Sequence, residues 1–290
     1  MDRRRGGRKS RSVAAIARQP DYRQLRHPFS QQSVFSDETI AAIHDKALRV
    51  LEELGMKILH SEARELLQSA GALVDSDTHM VRIGRDIVQA ALTTAPKSFQ
   101  MRGANPARYQ QYEPGAMLFA AGAGCPNATD LTRGRRPGSL RDLEEITKLV
   151  QSFDVLHMFG PNVEPQDVPS NLRHYATLKT QLAYGDKLMF VYARGRAQAM
   201  ESFELIRLAL DLSDADFDSA VWASTVINTN SPRQIDIPMA EGIIDFARAN
   251  QLSIITPFCL AGAMAPVSIA GALSDEVLRD PVRGPEAADF

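Results

Sequence analysis

An α/β fold with parallel strands is what this 290-residue chain predicts, on two observations. Five apolar runs, at 117–123, 155–161, 188–193, 221–228 and 252–258, start 31 to 38 residues apart. Each gap between them holds one helical pattern. Short apolar runs that do not alternate with polar residues are the mark of strands buried on both faces. Joined by helices at this spacing, they form βα units. The pattern does not separate an open doubly wound sheet from a (β/α)8 barrel.

In chain order, residues 1–30 come first and read as a disordered basic tail. Eight arginines and one lysine against two aspartates leave residues 1–26 at about +7. The whole chain carries −2, so the remainder stands near −9. No aromatic residue interleaves the charges of the arm MDRRRGGRKSRS and no folded motif follows, so a solvated arm is expected rather than a nucleic-acid contact. The apolar patch behind the arginines is too short for a secretory signal.

Residues 31–112 read as a helical cap with a small β-hairpin. Ile40, Ile43, Ala47, Leu51 and Leu54 recur at helical steps, and Gly55 stands where a C-terminal cap belongs. A second helix runs from Ser61 toward Gly71. Short strands follow near Leu73, Met80 and Phe99, with a helix through Ile87 to Leu92 between the last two.

From 113 to 273 the βα alternation takes over. Its helices are expected from Ser139, where Asp142 completes a capping pair, then from Ser170 to Gly185, over 197–210 and over 238–249. The last 17 residues, SDEVLRDPVRGPEAADF, read as a polar C-terminal tail. No apolar run is long enough to span a membrane, so no membrane partner is expected. Two cysteines 134 positions apart make no disulfide framework, which points to a reduced, cytoplasmic setting.

Function in parallel α/β folds gathers beyond the carboxyl ends of the strands. Those five places read GAGCPN, GPNVEPQDVP, YARGR, NTNSP and TPFCLAGAMAP. GAGCPN resembles a phosphate loop only in part. A dinucleotide fingerprint needs a third glycine running straight into a helix, whereas Asn127 stands there and Pro126 interrupts. The glycines read as a tight strand-to-loop turn.

Cys125 and Cys259 are expected to be small buried residues, since no histidine stands at a strand end to complete a zinc site. His157 falls within a strand and His174 within a helix, so no Ser-His-Asp arrangement assembles either. What remains is amides, carboxylates and aromatic rings, a set suited to a small polar or cationic ligand. Phe119 and Phe159 read as core filler.

From about residue 36 to 273 the chain resembles the trimethylamine methyltransferase family of corrinoid-dependent enzymes. The stretches that carry the likeness are VLEELGMKILHSEAR, GAGCPN, RPGSLRDLEEITKL, GPNVEPQDVP, SPRQIDIPMAEGIIDFAR and ITPFCLAGAMAPVSIAGAL. The resemblance implies a partial (β/α)8 TIM-type barrel of about five βα units behind an N-terminal helical cap. It implies methyl transfer from a tertiary or quaternary amine, such as trimethylamine or glycine betaine, to the corrinoid (cobalamin) of a partner protein. The chain itself is then expected to bind no cofactor directly.

On that reading Asn127, Glu164, Tyr192, Asn228 and Phe258 are the expected substrate-binding residues at the mouth, chosen by position. A homo-oligomer is expected where apolar surface would otherwise stay bare. Family members are longer by three further units, so a truncated version is expected. An inactive fragment and an unrelated α/β ligand-binding protein stand as alternatives.

Overall fold

The computed structural model describes residues 21–30, 32–230, 232–257 and 259–279. The first element, β1 (Leu25–Arg26), pairs antiparallel with a later strand and therefore belongs to the folded body. This corrects the expectation of a disordered tail through residue 30. Tyr22 donates a hydrogen bond to the Arg108 carbonyl at 2.8 Å, and Gln24 accepts one from the Gln111 amide at 2.7 Å. Residues 1–20, with most of the basic arm, lie outside the described residues.

α1 (Asp37–Glu53) starts at Ser36, whose hydroxyl accepts from the Thr39 amide. It ends at Gly55, whose φ of 74° suits the left-handed turn that closes a helix. Beyond it come β2 (Met56–Ile58), α2 (Ser61–Ser69), β3 (Leu73–Asp75), β4 (Met80–Arg82) and α3 (Arg85–Thr94). β4 lies between β2 and β3, antiparallel to both. Ala47, Leu48, Leu51, Met56, Ile58, Val81 and Val88 form one buried cluster across these elements. β5 (Phe99–Met101) and β6 (Gln110–Tyr112) make a hairpin, and β7 (Ala116–Met117) is the strand that receives β1.

The next stretch holds β8 (Asn127–Asp130), β9 (Gly134–Pro137), α4 (Leu140–Ser152), α5 (Arg173–Tyr184), β10 (Met189–Phe190) and α6 (Arg196–Leu210). It continues with α7 (Asp214–Asp218), β11 (Ala223–Thr229), β12 (Gln234–Ile235), α8 (Ile237–Arg248), β13 (Leu252–Pro257) and α9 (Ile269–Arg279). The capping pair read from the sequence is present at α4: Ser139 and Asp142 bond each other's backbone amides. The first turn after Ser170 is a tight three-residue helix, and α5 begins only at Arg173. α9 runs through Arg279, so helix continues into the stretch expected as a polar tail from 274; residues 280–290 lie outside the described residues.

The five apolar runs lie side by side, parallel, in sequence order. Ala120 bridges Met158, and Met158 bridges Leu188. β10 then pairs with β11, and β11 with β13 over six register positions. The fold is therefore α/β, with no closed barrel among the described residues.

The first two runs touch through single bridges rather than ladders. Glycines at 122, 124 and 160 and prolines at 126 and 161 explain this: proline brings no amide hydrogen, and Gly124 takes a φ of 78°. From Thr225 on, β11 alternates as a half-covered strand does, while Ser224 before it is also buried. Ala223, Thr225, Ile227 and Thr229 are buried, while Val226 and Asn228 are exposed on the opposite face. On the covered side α8 comes close enough that a Cβ on Gly242 would meet the Ala193 carbonyl at 2.9 Å.

Two elements join distant parts of the chain without a periodic signal. β12 pairs parallel with β2, tying the loop before α8 to the N-terminal sheet. His157 ties β1's segment to the second run: its Nδ1 accepts from the Phe119 amide at 3.0 Å, so Nε2 donates to the Arg23 carbonyl at 2.9 Å. The ring is fully buried, and burial pushes its pKa below the usual histidine value. The unfolded chain then takes up this proton first, near pH 6.5, so stability falls as pH drops through that value. Urea midpoints across pH 5 to 7 should show the decline in the native chain, and a smaller one in His157→Gln.

Candidate functional site

The loop after the second run is fastened to the loop after the first. Cys125 bridges Val163, the Glu164 amide donates to the Cys125 carbonyl at 2.8 Å, and the Gln166 amide donates to Gly138 at 2.8 Å. Asp167 accepts from the Leu140 amide at 2.8 Å and so serves the start of α4. These contacts hold Glu164 at the carboxyl end of the parallel array.

Glu164, largely buried, receives two guanidinium groups: Arg173 Nη1 at 3.4 Å and Arg194 Nη1 at 3.3 Å. Arg173 is braced by a second bond from its Nε to the Val168 carbonyl at 3.0 Å. Arg194 has its side chain 53% exposed and lies over the Tyr192 ring, 4.7 Å from the centroid. Tyr192 stands edge-on to Phe190 at 5.6 Å, and its hydroxyl is buried. Burial pushes its pKa up to about 12, against the pull of the nearby Arg194 cation.

Two of the five expected residues, Glu164 and Tyr192, are thus brought together through Arg194. Asn228 accepts a hydrogen bond from the Thr256 hydroxyl at 2.5 Å, across the ladder between β11 and β13. Asn127 opens β8 opposite Pro137, in a β-hairpin that carries no signal of alternating apolar residues. Phe258 lies outside the described residues.

The two arginines are what the sequence-based choice omitted. Arg194 stood at a strand end, in YARGR, but Arg173 sits at the start of α5, where nothing in the sequence marks a site. Cys125 is exposed and Cys259 partly so, which corrects the expectation that both are buried. The turn at Gly124 leaves Cys125 outside the packed layers. Phe159 is buried, but Phe119 is 40% exposed and is not core filler.

Among the described residues no group of three or more His, Cys, Asp or Glu side chains is placed to hold a metal ion. None of the described helices is long and apolar enough to cross a membrane.

Comparison with known proteins adds a family to this geometry. The family described as trimethylamine methyltransferase (MTTB) matches residues 2–277. A glycine betaine methyltransferase of Desulfitobacterium hafniense (strain Y51) is 28% identical over 243 residues, covering 83% of this chain and 50% of its own. The trimethylamine methyltransferase MttB of Desulfitobacterium hafniense (strain DSM 10664 / DCB-2) is 27% identical over 242 residues, 82% of this chain and 48% of its own. An L-carnitine:corrinoid methyltransferase of Eubacterium limosum is 24% identical, over 83% of this chain and 51% of its own.

The chain spans about half the length of the curated relatives it matches. Among solved structures, the crystal structure of the hydroxylamine MtmB complex covers 89% of this chain and 58% of that chain, at 13% identity and a TM-score of 0.39. With the family match running over nearly its whole length, this chain belongs to the trimethylamine methyltransferase family.

Proposed function

We propose that the chain transfers a methyl group from a tertiary or quaternary amine to the corrinoid of a separate protein, working at the carboxyl ends of a partial (β/α)8 barrel. The observation that carries this reading is the placement of an aromatic ring, Tyr192, beside a carboxylate, Glu164, at that end of the parallel array. An aromatic face and a carboxylate together stabilise an ammonium group. Membership of the family supports the reaction class, and relatives named as corrinoid methyltransferases support the acceptor.

The step balances simply. In a quaternary ammonium, or a tertiary amine that already carries a proton, the N–CH₃ bond breaks, its electron pair stays on nitrogen, and the amine leaves uncharged. The methyl group bonds to the reduced cobalt of the partner, which supplies the electron pair. The work of this chain is to hold the donor cation, turn one methyl group outward and keep water away. Tyr192 and Glu164 hold the ammonium. The face with Val226 and Asn228 is open, which favours assembly with a further polypeptide.

The test incubates the purified chain with reduced corrinoid protein and either trimethylamine or glycine betaine, following the cobalt absorption spectrum. Conversion to the methylated spectrum is expected with at least one donor. No conversion with either donor overturns the reading. Tyr192→Leu is expected to raise KM for the donor about tenfold, the worth of a partly desolvated cation–π contact.

A further inference from the structure

We infer that Arg102 is the centre of a second binding site, for a small oxyanion (a carboxylate or a phosphate), at the amino ends of the parallel strands. Arg102 follows β5, whose last residue, Met101, bridges Val221 just ahead of β11. Glu164 stands at the opposite ends of the strands, so this site does not depend on the methyl-transfer reading.

The Arg102 guanidinium is held against two aromatic rings. Its carbon lies 5.6 Å from the centre of the Tyr109 ring and 5.5 Å from that of Trp222, and the two rings meet edge to face at 6.3 Å. The parts are fixed in place. The Arg102 amide donates to the Val221 carbonyl at 2.8 Å. Trp222 is buried, with its amide bonded to the Gln251 side chain at 2.8 Å and its indole Nε1 to the Asp216 carbonyl at 3.4 Å. At the next residue, Gly103, an added Cβ would stand 2.6 Å from the Asp186 carbonyl oxygen, so the chain has no room to shift.

What this cation lacks is an acceptor. Among the described residues nothing takes a hydrogen bond from the Arg102 side chain, and its Nε is buried without one. Other half-buried arginines end on acceptors: Arg108 on Asp154 and Asp186, Arg173 on Glu164, Arg64 on the carbonyls of Ile58 and Leu59. Aromatic rings offset part of the cost of burying a charge, but they do not replace the oxygen partners that a guanidinium's N–H groups seek. Of the Arg102 donors only Nε is shut away, so the Nη groups stay within reach of a ligand. A carboxylate or phosphate offers two oxygens at the spacing of that fork, which chloride cannot. Because the rings already hold the arginine, little side-chain freedom is left to lose on binding.

Trp222 is the sole tryptophan of the chain, so its emission reports on this site. The purified chain is titrated with phosphate, acetate and chloride at constant pH and ionic strength. At least one of the two oxyanions is expected to give a saturable change in emission, at a concentration at least about tenfold below any effect of chloride. The tighter of the two identifies the ligand as a phosphate or a carboxylic acid. Arg102→Met is expected to weaken that response at least about tenfold, with Arg102→Lys in between. The same oxyanion should raise the thermal unfolding midpoint of the native chain and leave that of Arg102→Met unchanged, a comparison made within each protein.

No saturable response to either oxyanion, an equal response to chloride, or a response kept in Arg102→Met overturns the site. The native-chain comparison of oxyanions with chloride decides the matter even where a variant fails to fold.

Discussion

Lys187→Met is expected to destabilise the chain by about 3 kcal/mol, read as a lower urea midpoint at pH 7. Lys187 is fully buried, and its ammonium donates to the carbonyls of Val150 and Phe153, each at 2.6 Å. These carbonyls stand at the end of α4, where each accepts only one backbone amide, from Phe153 at 3.3 Å and from Leu156 at 3.0 Å, and Lys187 supplies the second donor to both. Methionine fills much of the space but takes one charged donor away from each of the two acceptors.

A second readout separates this role from simple packing. Burial, reinforced by Arg108, pushes the Lys187 pKa down to about 8, against the opposing pull of Asp154 and Asp186. In the unfolded chain it titrates near 10.4, so between these values the unfolded state holds more protons. Stability therefore rises as pH climbs from about 8 toward 10 in the native chain. Lys187→Met should lose that rise, and a variant that kept it would show that Lys187 is not its source.

Gly160→Ala is expected to cost a comparable amount, about 3 kcal/mol, and to loosen the site as well. A Cβ at residue 160 would run into the Ala121 carbonyl and lie 2.6 Å from the Gly122 carbonyl oxygen. Both obstacles are backbone, so neither can swing aside. Relief requires the first two runs to separate, and their contact holds the loop that carries Glu164. The change should thus lower the urea midpoint and, on the proposed methyl-transfer reading, weaken donor binding together.

Gly124→Ala is the control. None of the described residues comes within 4 Å of its added Cβ, so only the backbone strain at a φ of 78° is expected, about 1 kcal/mol. If the two alanines cost the same, the close approach at residue 160 is not what holds the runs together.

The elements with strong local signals were legible before any coordinates. α1 shows its periodic apolar face and closing glycine, and α4 its capping pair, because both depend on residues within one or two turns. β11 and β13 read as apolar runs and form the longest ladder of the array. The hairpin of β8 and β9 was not legible, since GRRP and NATD carry neither an apolar alternation nor a β-rich composition. β1 and β12 are two-residue strands set by their partners, β7 and β2, far away in the chain.

Of the candidate site, Glu164 and Tyr192 were expected from their position after a strand, and the structure brings the two together through Arg194. Such a position was not enough to find Arg173, which reaches Glu164 from a helix start, or to separate Asn228, which turns to Thr256.

Apolar spacing and capping residues settle which stretches become strands and helices here, because those choices rest on neighbours a few residues apart. Pairing between charges follows a different rule. Glu164 meets Arg194 across 30 residues and Arg196 meets Glu62 across 134, and such partners are chosen by how the layers pack. Side chains come within hydrogen-bond reach only after the backbone has brought them there, and nothing in their local sequence records that distance.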